Sequence, residues 1–330
     1  MSPEHILGLL LPHRRATDHA PPQAFGPQLD RLHALVDAGQ PIVFTLPGFP
    51  CKSPNPAKVL GRLPDAGERL ALRFLHDLCT RIAEVYPPGA RMLICSDGHV
   101  FGDLIGVPDD HIDEYAAELH ALIHTERLDS LGLFDLRDVL GATSCADKRG
   151  RIDAEYAPTL DEVRAQARGD EQARRLYLGI TRFLFEDTAD FDGTRSALQR
   201  RCRDRAYSVV RRSIAWGRVV QRHHPDALRL SIHPQPAGSA KFGIRLLDTP
   251  DVWTTPWHSC VLRHPGGRVE LLPRHRAERL GSVVSRDGRP DHFQAIRPIR
   301  EMTILSAGTA AQRTHDERLG PPPKRVSTGA

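Results

Sequence analysis

Two short apolar runs, "IVFTL" (42–46) and "RMLIC" (91–95), limit what this chain can fold into, because each is followed by a polar loop and then by a helix-patterned stretch. The first is a continuous, largely β-branched run, the pattern of a strand buried on both faces. Between the two, "PDAGERLALRFLHDLCTRIAEVY" sets Leu70, Phe74, Leu78, Ile82 and Val85 at spacings of three and four. That periodicity predicts a long amphipathic helix, stopped by Pro87 and Pro88. After the second run, "PDDHIDEYAAELHALI" puts Ile112, Tyr115, Leu119 and Leu122 on one helical face. Strand, loop and helix repeated in this order predict an α/β chain with a Rossmann-like, mostly parallel sheet flanked by helices. In such a sheet the loops leaving the C-terminal strand ends form the ligand crevice.

The rest of the chain divides by texture. Residues 1–27 read as an N-terminal extension, with 12–28 an extended lead-in, and residues 28–305 as the α/β domain. Inside that domain, 155–222 is a helical, basic section. From Leu228 onward "LRLSIH", "KFGIRLL", "SCVLR" and "RVELLP" predict a strand-rich C-terminal part. Residues 306–330 are small, polar and Pro-rich, and are expected to be disordered. The formal net charge of +4 is too mild to argue for a nucleic-acid or membrane partner. Six scattered cysteines, without a CxxC pair, suggest neither a zinc knuckle nor a disulfide framework, and fit a cytoplasmic location. The apolar run "ILGLLLP" is too short to span a bilayer and lacks the basic flank of a signal peptide.

Chemistry is expected in the loops. "FPCKSPNPAKVLG" (49–61) crowds Lys52, Ser53, Asn55 and Lys58 among three prolines, a stiff polar loop leaving a buried strand. An ammonium in such a crevice neutralises a phosphate or carboxylate, or adds to a carbonyl once deprotonated. Cys51 reads as a packed small hydrophobe. "SDG" places Ser96 and Asp97 at the next strand end, where Asp97 is a candidate general base or amine anchor. Farther on, His233, Lys241, Trp257 and His258 lie at strand termini, with imidazole as proton shuttle and Trp257 as an apolar wall. The two histidines have no third partner at a metal-ligand spacing. Nine arginines between Arg195 and Arg222 read mainly as a solvated helix face, Arg211 and the earlier Arg182 being candidate forks for a carboxylate or phosphate.

Four stretches together resemble the pyoverdine/dityrosine biosynthesis family, the isocyanide (isonitrile) synthases: "LPGFPCKSPNPAKVLGRLPDAGERLAL", "YPPGARMLICSDGHVFGDLIGVPDDHIDEY", "RLSIHPQP" with "KFGIRL", and "TPWH". The resemblance runs from about Gln40 to Leu272. It implies an enzyme that converts the α-amino group of an amino acid, by default tyrosine or tryptophan, into an isocyanide. The carbon would come from ribulose 5-phosphate as co-substrate, with no metal, nicotinamide or other cofactor. It also implies secondary metabolism and a functionally coupled iron/2-oxoglutarate oxygenase as a partner. An amine must then condense with a ketone, water and phosphate must leave, and carbon–carbon bonds must break. Lys52 and Lys241 would divide ketone activation and phosphate binding. His233, His258 and Asp97 would move protons, and Ser53, Asn55, Lys58, Ser96, Arg182, Arg211 and Trp257 would hold substrates. The rival readings are a sugar-phosphate or nucleotide-binding transferase on the same sheet, and a basic nucleic-acid-binding module.

Overall fold

A computed structural model of the chain describes residues 2–16 and 18–296, so the expected disorder of 306–330 lies outside the described residues. Helices α1 (Pro3–Leu10) and α2 (Gly26–Asp37) precede strand β1 (Ile42–Gly48), and α3 (Ala66–Val85) crosses to β2 (Ala90–Ser96). Next come α4 (Gly98–Ile105), α5 (Asp109–Thr125) and β3 (Leu131–Phe134). A helical section of α6 (Leu136–Leu140), α7 (Cys145–Glu155), α8 (Leu160–Gly169), α9 (Glu171–Asp187) and α10 (Arg195–His223) leads to β4 (Leu228–Ser231) and β5 (Phe242–Gly243). The chain continues through β6 (Cys260–Arg263), β7 (Val269–Leu272), α11 (Arg274–Ala277), β8 (Gly281–Arg286) and β9 (Arg289–Ala295).

The first five strands form one parallel sheet in the order β3-β2-β1-β4-β5. The chain runs outward from β1 to β3 and then returns to the other side of β1. The topological switch therefore lies between β1 and β4, where a crevice opens beyond the strand ends. Phe44 and Leu46 are fully buried in the centre of this sheet, as the continuous apolar run predicts. The remaining strands make a second, mixed sheet in the order β7-β6-β9-β8.

Helix α3 starts where Asp65 caps it. The Asp65 carboxylate accepts the Gly67 amide at 2.8 Å, while Glu68 accepts the Asp65 amide at 3.1 Å. It packs on β2 and also touches β6 and β9, and a two-pronged Arg69–Asp291 pair (2.9 and 2.8 Å) ties it to the second sheet.

The described residues among 1–27 are no appendage. Ile6, Leu7 and Leu10 of α1 are fully buried in the main core, because α1 has an apolar face that α2 and α3 cover. The buried Arg15 donates to the carbonyls of Ile232 (2.7 Å) and Thr254 (3.1 Å), bracing two segments that carry candidate residues. The predicted strand "KFGIRLL" is only two residues long, since after Ile244 the Arg245 amide turns to the His13 carbonyl.

Candidate active site

A cavity opens at the switch point, walled by the loops after β1, β2 and β4, by α4, α9 and α10, and by the segment 253–258. Its walls are largely apolar: Phe101 and Ile105 from α4, Ile180 and Phe183 from α9, and Trp253 and Trp257 from the segment before β6. A mostly apolar, aromatic-lined pocket with a few inward polar groups is the usual build of a small-molecule site.

The stiff loop is held by contacts distant in sequence. Phe49 is fully buried with φ 55°, left-handed for a bulky residue, and its ring lies 5.0 Å from that of Trp257. Such a conformation costs about 1–3 kcal/mol and persists where surrounding packing enforces it. The Ser53 amide donates to the Trp257 carbonyl at 2.8 Å, joining the β1 loop to the segment before β6. The Pro50 carbonyl lies against Gly98, where an added Cβ would overlap it, so only glycine fits at this position of "SDG".

Asp187, at the end of α9, gathers the polar groups of one side. It accepts from the Ser53 hydroxyl (2.7 Å) and the Lys58 ammonium (2.6 Å), and stands 3.3 Å from His258 Nε2. The other nitrogen of His258 is 3.1 Å from the Thr255 hydroxyl. Burial lowers the His258 pKa to about 4, against the opposing pull of Asp187 and with help from Lys58 and Lys52. His233 is lowered further, to about 3, by burial and then by Arg15, Lys241 and His258. Both rings are therefore neutral at pH 7.

Asp97 is the opposite case. Its Oδ1 is buried without a hydrogen-bond partner, and burial raises its pKa to about 7, offset only by its own backbone amide. A carboxyl poised near neutrality, facing a cavity and lacking a cation, is suited to accept a proton from an incoming ammonium.

The structure thus brings Asp97, Ser53, His233, Trp257 and His258 to one cavity, with Lys58 reaching it through Asp187. Lys52 lines the same wall with its ammonium turned away. Its Nζ is fully buried against Asp65 (2.9 Å) and Glu68 (2.7 Å), and donates to the Pro256 carbonyl at 3.1 Å. Those acids push its pKa upward against burial, so Lys52 remains a charged clamp between loop, α3 and Pro256 and is no amine nucleophile. With two acids sharing one ammonium, Asp65 is itself raised to about 7 by burial, Lys52 opposing and Glu68 adding. Tyr115 donates to Glu68 at 3.1 Å and completes the buried network.

Other candidates lie elsewhere. The Ser96 hydroxyl donates to the Phe49 carbonyl (3.2 Å), and Asn55 shapes its own loop, donating to the Glu186 carbonyl (2.7 Å) and accepting from Ala57 (2.9 Å). Arg182 is engaged by Glu186 and Asp251, each at 2.7 Å, in a neighbouring groove. Arg211 faces the α7–α8 connection, where the Pro158 and Asp153 carbonyls take it at 2.7 and 3.1 Å. Lys241 stands outside the cavity lining, close to α10. Cys51 is buried and its thiol pKa raised by burial, so it stays protonated.

Sequence reasoning missed Asp187, the hub of the polar side, because it ends a helix about 130 positions from the loop it binds and carries no motif. Its one visible signal is the acidic pair Glu186-Asp187 closing an otherwise basic helix. Several α10 arginines also prove occupied. Buried Arg212 binds Asp103 (2.5 Å) and Asp153 (2.9 Å), and Arg218 the Tyr156 carbonyl (2.7 Å). Among the described residues, His99, Asp109 and Cys145 offer ligand atoms within 4.8 Å of one another, yet both Asp109 oxygens already take Arg149, at 2.8 and 3.1 Å. No described helix is long and apolar enough to cross a membrane.

The model of the pyoverdine/dityrosine biosynthesis protein family matches residues 32–284. This chain belongs to that family. It is 44% identical, over 81% of its length and 83% of the relative's, to an L-tyrosine isonitrile synthase of Pseudomonas aeruginosa. It is 36% identical to the L-tryptophan isonitrile synthase AmbI2 of Fischerella ambigua, over 88% of this chain and 91% of that protein. The crystal structure of PvcA from Pseudomonas aeruginosa superimposes with a TM-score of 0.84 at 41% identity, covering 88% of this chain and 99% of that one. The expectations of a Rossmann-like α/β fold and of an enzyme of the isocyanide synthase kind are both borne out.

Proposed function

We propose that this member of the family is an L-tyrosine isonitrile synthase with ribulose 5-phosphate as carbon donor. Tyrosine is favoured over tryptophan because relatives named for tyrosine, at 44% and 42% identity, are nearer than those named for tryptophan, at 36%. The observation that carries the reading is Asp97, whose Oδ1 is buried and partnerless beside an aromatic-walled cavity that also holds two neutral imidazoles.

An L-amino acid arrives as an ammonium and must lose a proton before its nitrogen lone pair attacks a ketone carbon. Asp97 takes that proton, and the resulting carboxylate holds the amine. Attack gives a carbinolamine, from which hydroxide leaves as water after protonation. The later bond cleavages each need a base near the reacting carbons, and His233 and His258 supply neutral ring nitrogens there. Asp187 fixes the His258 ring and the Ser53 hydroxyl, while Lys58 balances its charge. Trp253, Trp257 and Phe183 wall the substrate ring and exclude water. The reaction proceeds without metal or redox cofactor, in the cytoplasm. Its product passes to an iron/2-oxoglutarate oxygenase of secondary metabolism.

The test is incubation of the purified chain with ribulose 5-phosphate and each of tyrosine, tryptophan and phenylalanine, read by mass spectrometry and by the isocyanide infrared band. Tyrosine is expected to give the fastest isocyanide formation. Absence of isocyanide from all three removes the proposal, and faster turnover of tryptophan reassigns the substrate.

A further inference from the structure

Val209, Ser213 and Gly217 follow one another at one-turn intervals on α10 and so share a face of that helix. The first two line the cavity, and Gly217 lies one turn beyond it. Near the point that a Cβ on Gly217 would occupy, outside the helix's own backbone, two atoms come within 4 Å: Arg229 Nη2 at 3.7 Å and Lys241 Nζ at 4.0 Å. Two cations thus face one small gap from which a side chain is missing.

Both come from the β4–β5 side of the parallel sheet, below the strand ends that carry the cavity. Arg229 is on β4, on the same face as Ser231, whose hydroxyl accepts the His233 amide at 3.1 Å. Lys241 immediately precedes β5 and lies within electrostatic reach of His233 at the cavity wall. Among the described residues neither cation has a carboxylate partner. Arg229 donates to Gln221 Oε1 at 3.1 Å, and the Lys241 ammonium has no acceptor. The Arg229 charge adds to burial in lowering the Lys241 pKa to about 8. Lys52 and Arg212, by contrast, are each neutralised by two acids. Two neighbouring cations without a carboxylate are the arrangement that receives an oxyanion, the guanidinium as a fork and the ammonium as a point charge.

We propose that Lys241 and Arg229, facing each other beside the side-chain-free Gly217, seat the phosphate group of the phosphorylated co-substrate whose carbonyl end lies in the cavity. The proposal rests on the reading of that co-substrate as a sugar phosphate. Gly217 follows the cavity-lining Ser213 by one helical turn, about 5.4 Å, so the seat adjoins the cavity at a spacing of the order of a pentulose phosphate's carbon chain.

Calorimetric titration of the full chain with inorganic phosphate, ribulose 5-phosphate and unphosphorylated ribulose tests it. The wild-type protein should bind inorganic phosphate, and should bind ribulose 5-phosphate at least about tenfold more tightly than ribulose, as charged hydrogen bonds require. Lys241→Met and Arg229→Met should each erase most of that preference while leaving ribulose affinity unchanged. Gly217→Ala keeps both charges, fills the gap and favours helix. It should raise the melting temperature while weakening phosphate binding, an outcome that separates a filled seat from a damaged fold. Equal affinity for ribulose and its phosphate, or unaltered phosphate binding in all three variants, overturns the proposal. Because binding is read without turnover, a chain that shows this pattern yet makes no isocyanide retains the seat and loses the reading of the reaction.

Discussion

Lys52 follows β1 and Lys241 precedes β5 of one parallel sheet, and sequence alone gives these two strand-flanking lysines the same prospects. Their surroundings differ completely. Lys52 meets two carboxylates in a dry core and is locked as a cation. Lys241 meets an arginine and no acid, and its ammonium is held less firmly. A strand-end lysine acquires its chemistry from the counter-charge that other parts of the chain bring to it, and only a lysine lacking one remains available to a ligand.

The largest effect should come from Lys52→Met. It leaves Asp65 and Glu68 buried without their ammonium, which costs about 3–5 kcal/mol, measurable as a lower urea midpoint. The double variant Lys52→Met/Glu68→Gln should recover part of the loss. A wild-type midpoint in Lys52→Met would break the comparison.

Asp97 mirrors Lys241 with the sign reversed, a buried acid with no cation. Asp97→Asn should lower kcat/KM at least about 100-fold with the fold intact. In the wild-type enzyme kcat/KM should rise with pH to a plateau above an apparent pKa near 7, the ionised carboxyl being the competent form. An acid limb unchanged in residual Asp97→Asn activity would assign that proton to another group.

The smallest effect is on the pH dependence of stability, and it sharpens the contrast most directly. The Lys241 pKa falls from 10.5 to about 8 on folding. Between those values the unfolded chain binds the extra proton, so this group makes stability rise with pH. Lys52, raised on folding, stabilises fully below its unfolded value and loses that contribution as pH climbs through the folded one. Denaturation midpoints across pH 8–10 should therefore change slope in Lys241→Met, and added phosphate should flatten the wild-type curve in the same direction.

Much of the architecture was legible because β1, α3, β2 and α5 carry their periodicity in uninterrupted runs. The α/β order followed from them. The second sheet was only partly so: β6 and β7 were expected, but β8 is mostly exposed and has no apolar run to announce it. The N-terminal segment misled because its burial depends on α2 and α3 closing over it. At the site, Asp97, His233 and His258 were readable as polar residues at strand ends. Asp187 was not, since its importance is created by Ser53, Lys58 and His258 folding onto it. Arg182 and Arg211 were misjudged for a related reason: a periodic helix shows which face is polar, and says nothing about which acids another segment will set against it.

The contact of Gly98 with the Pro50 carbonyl bears on how such enzymes can be rebuilt. A chimaera that borrows residues 49–61 from a relative of different substrate preference must keep glycine at 98 for the grafted backbone to pass.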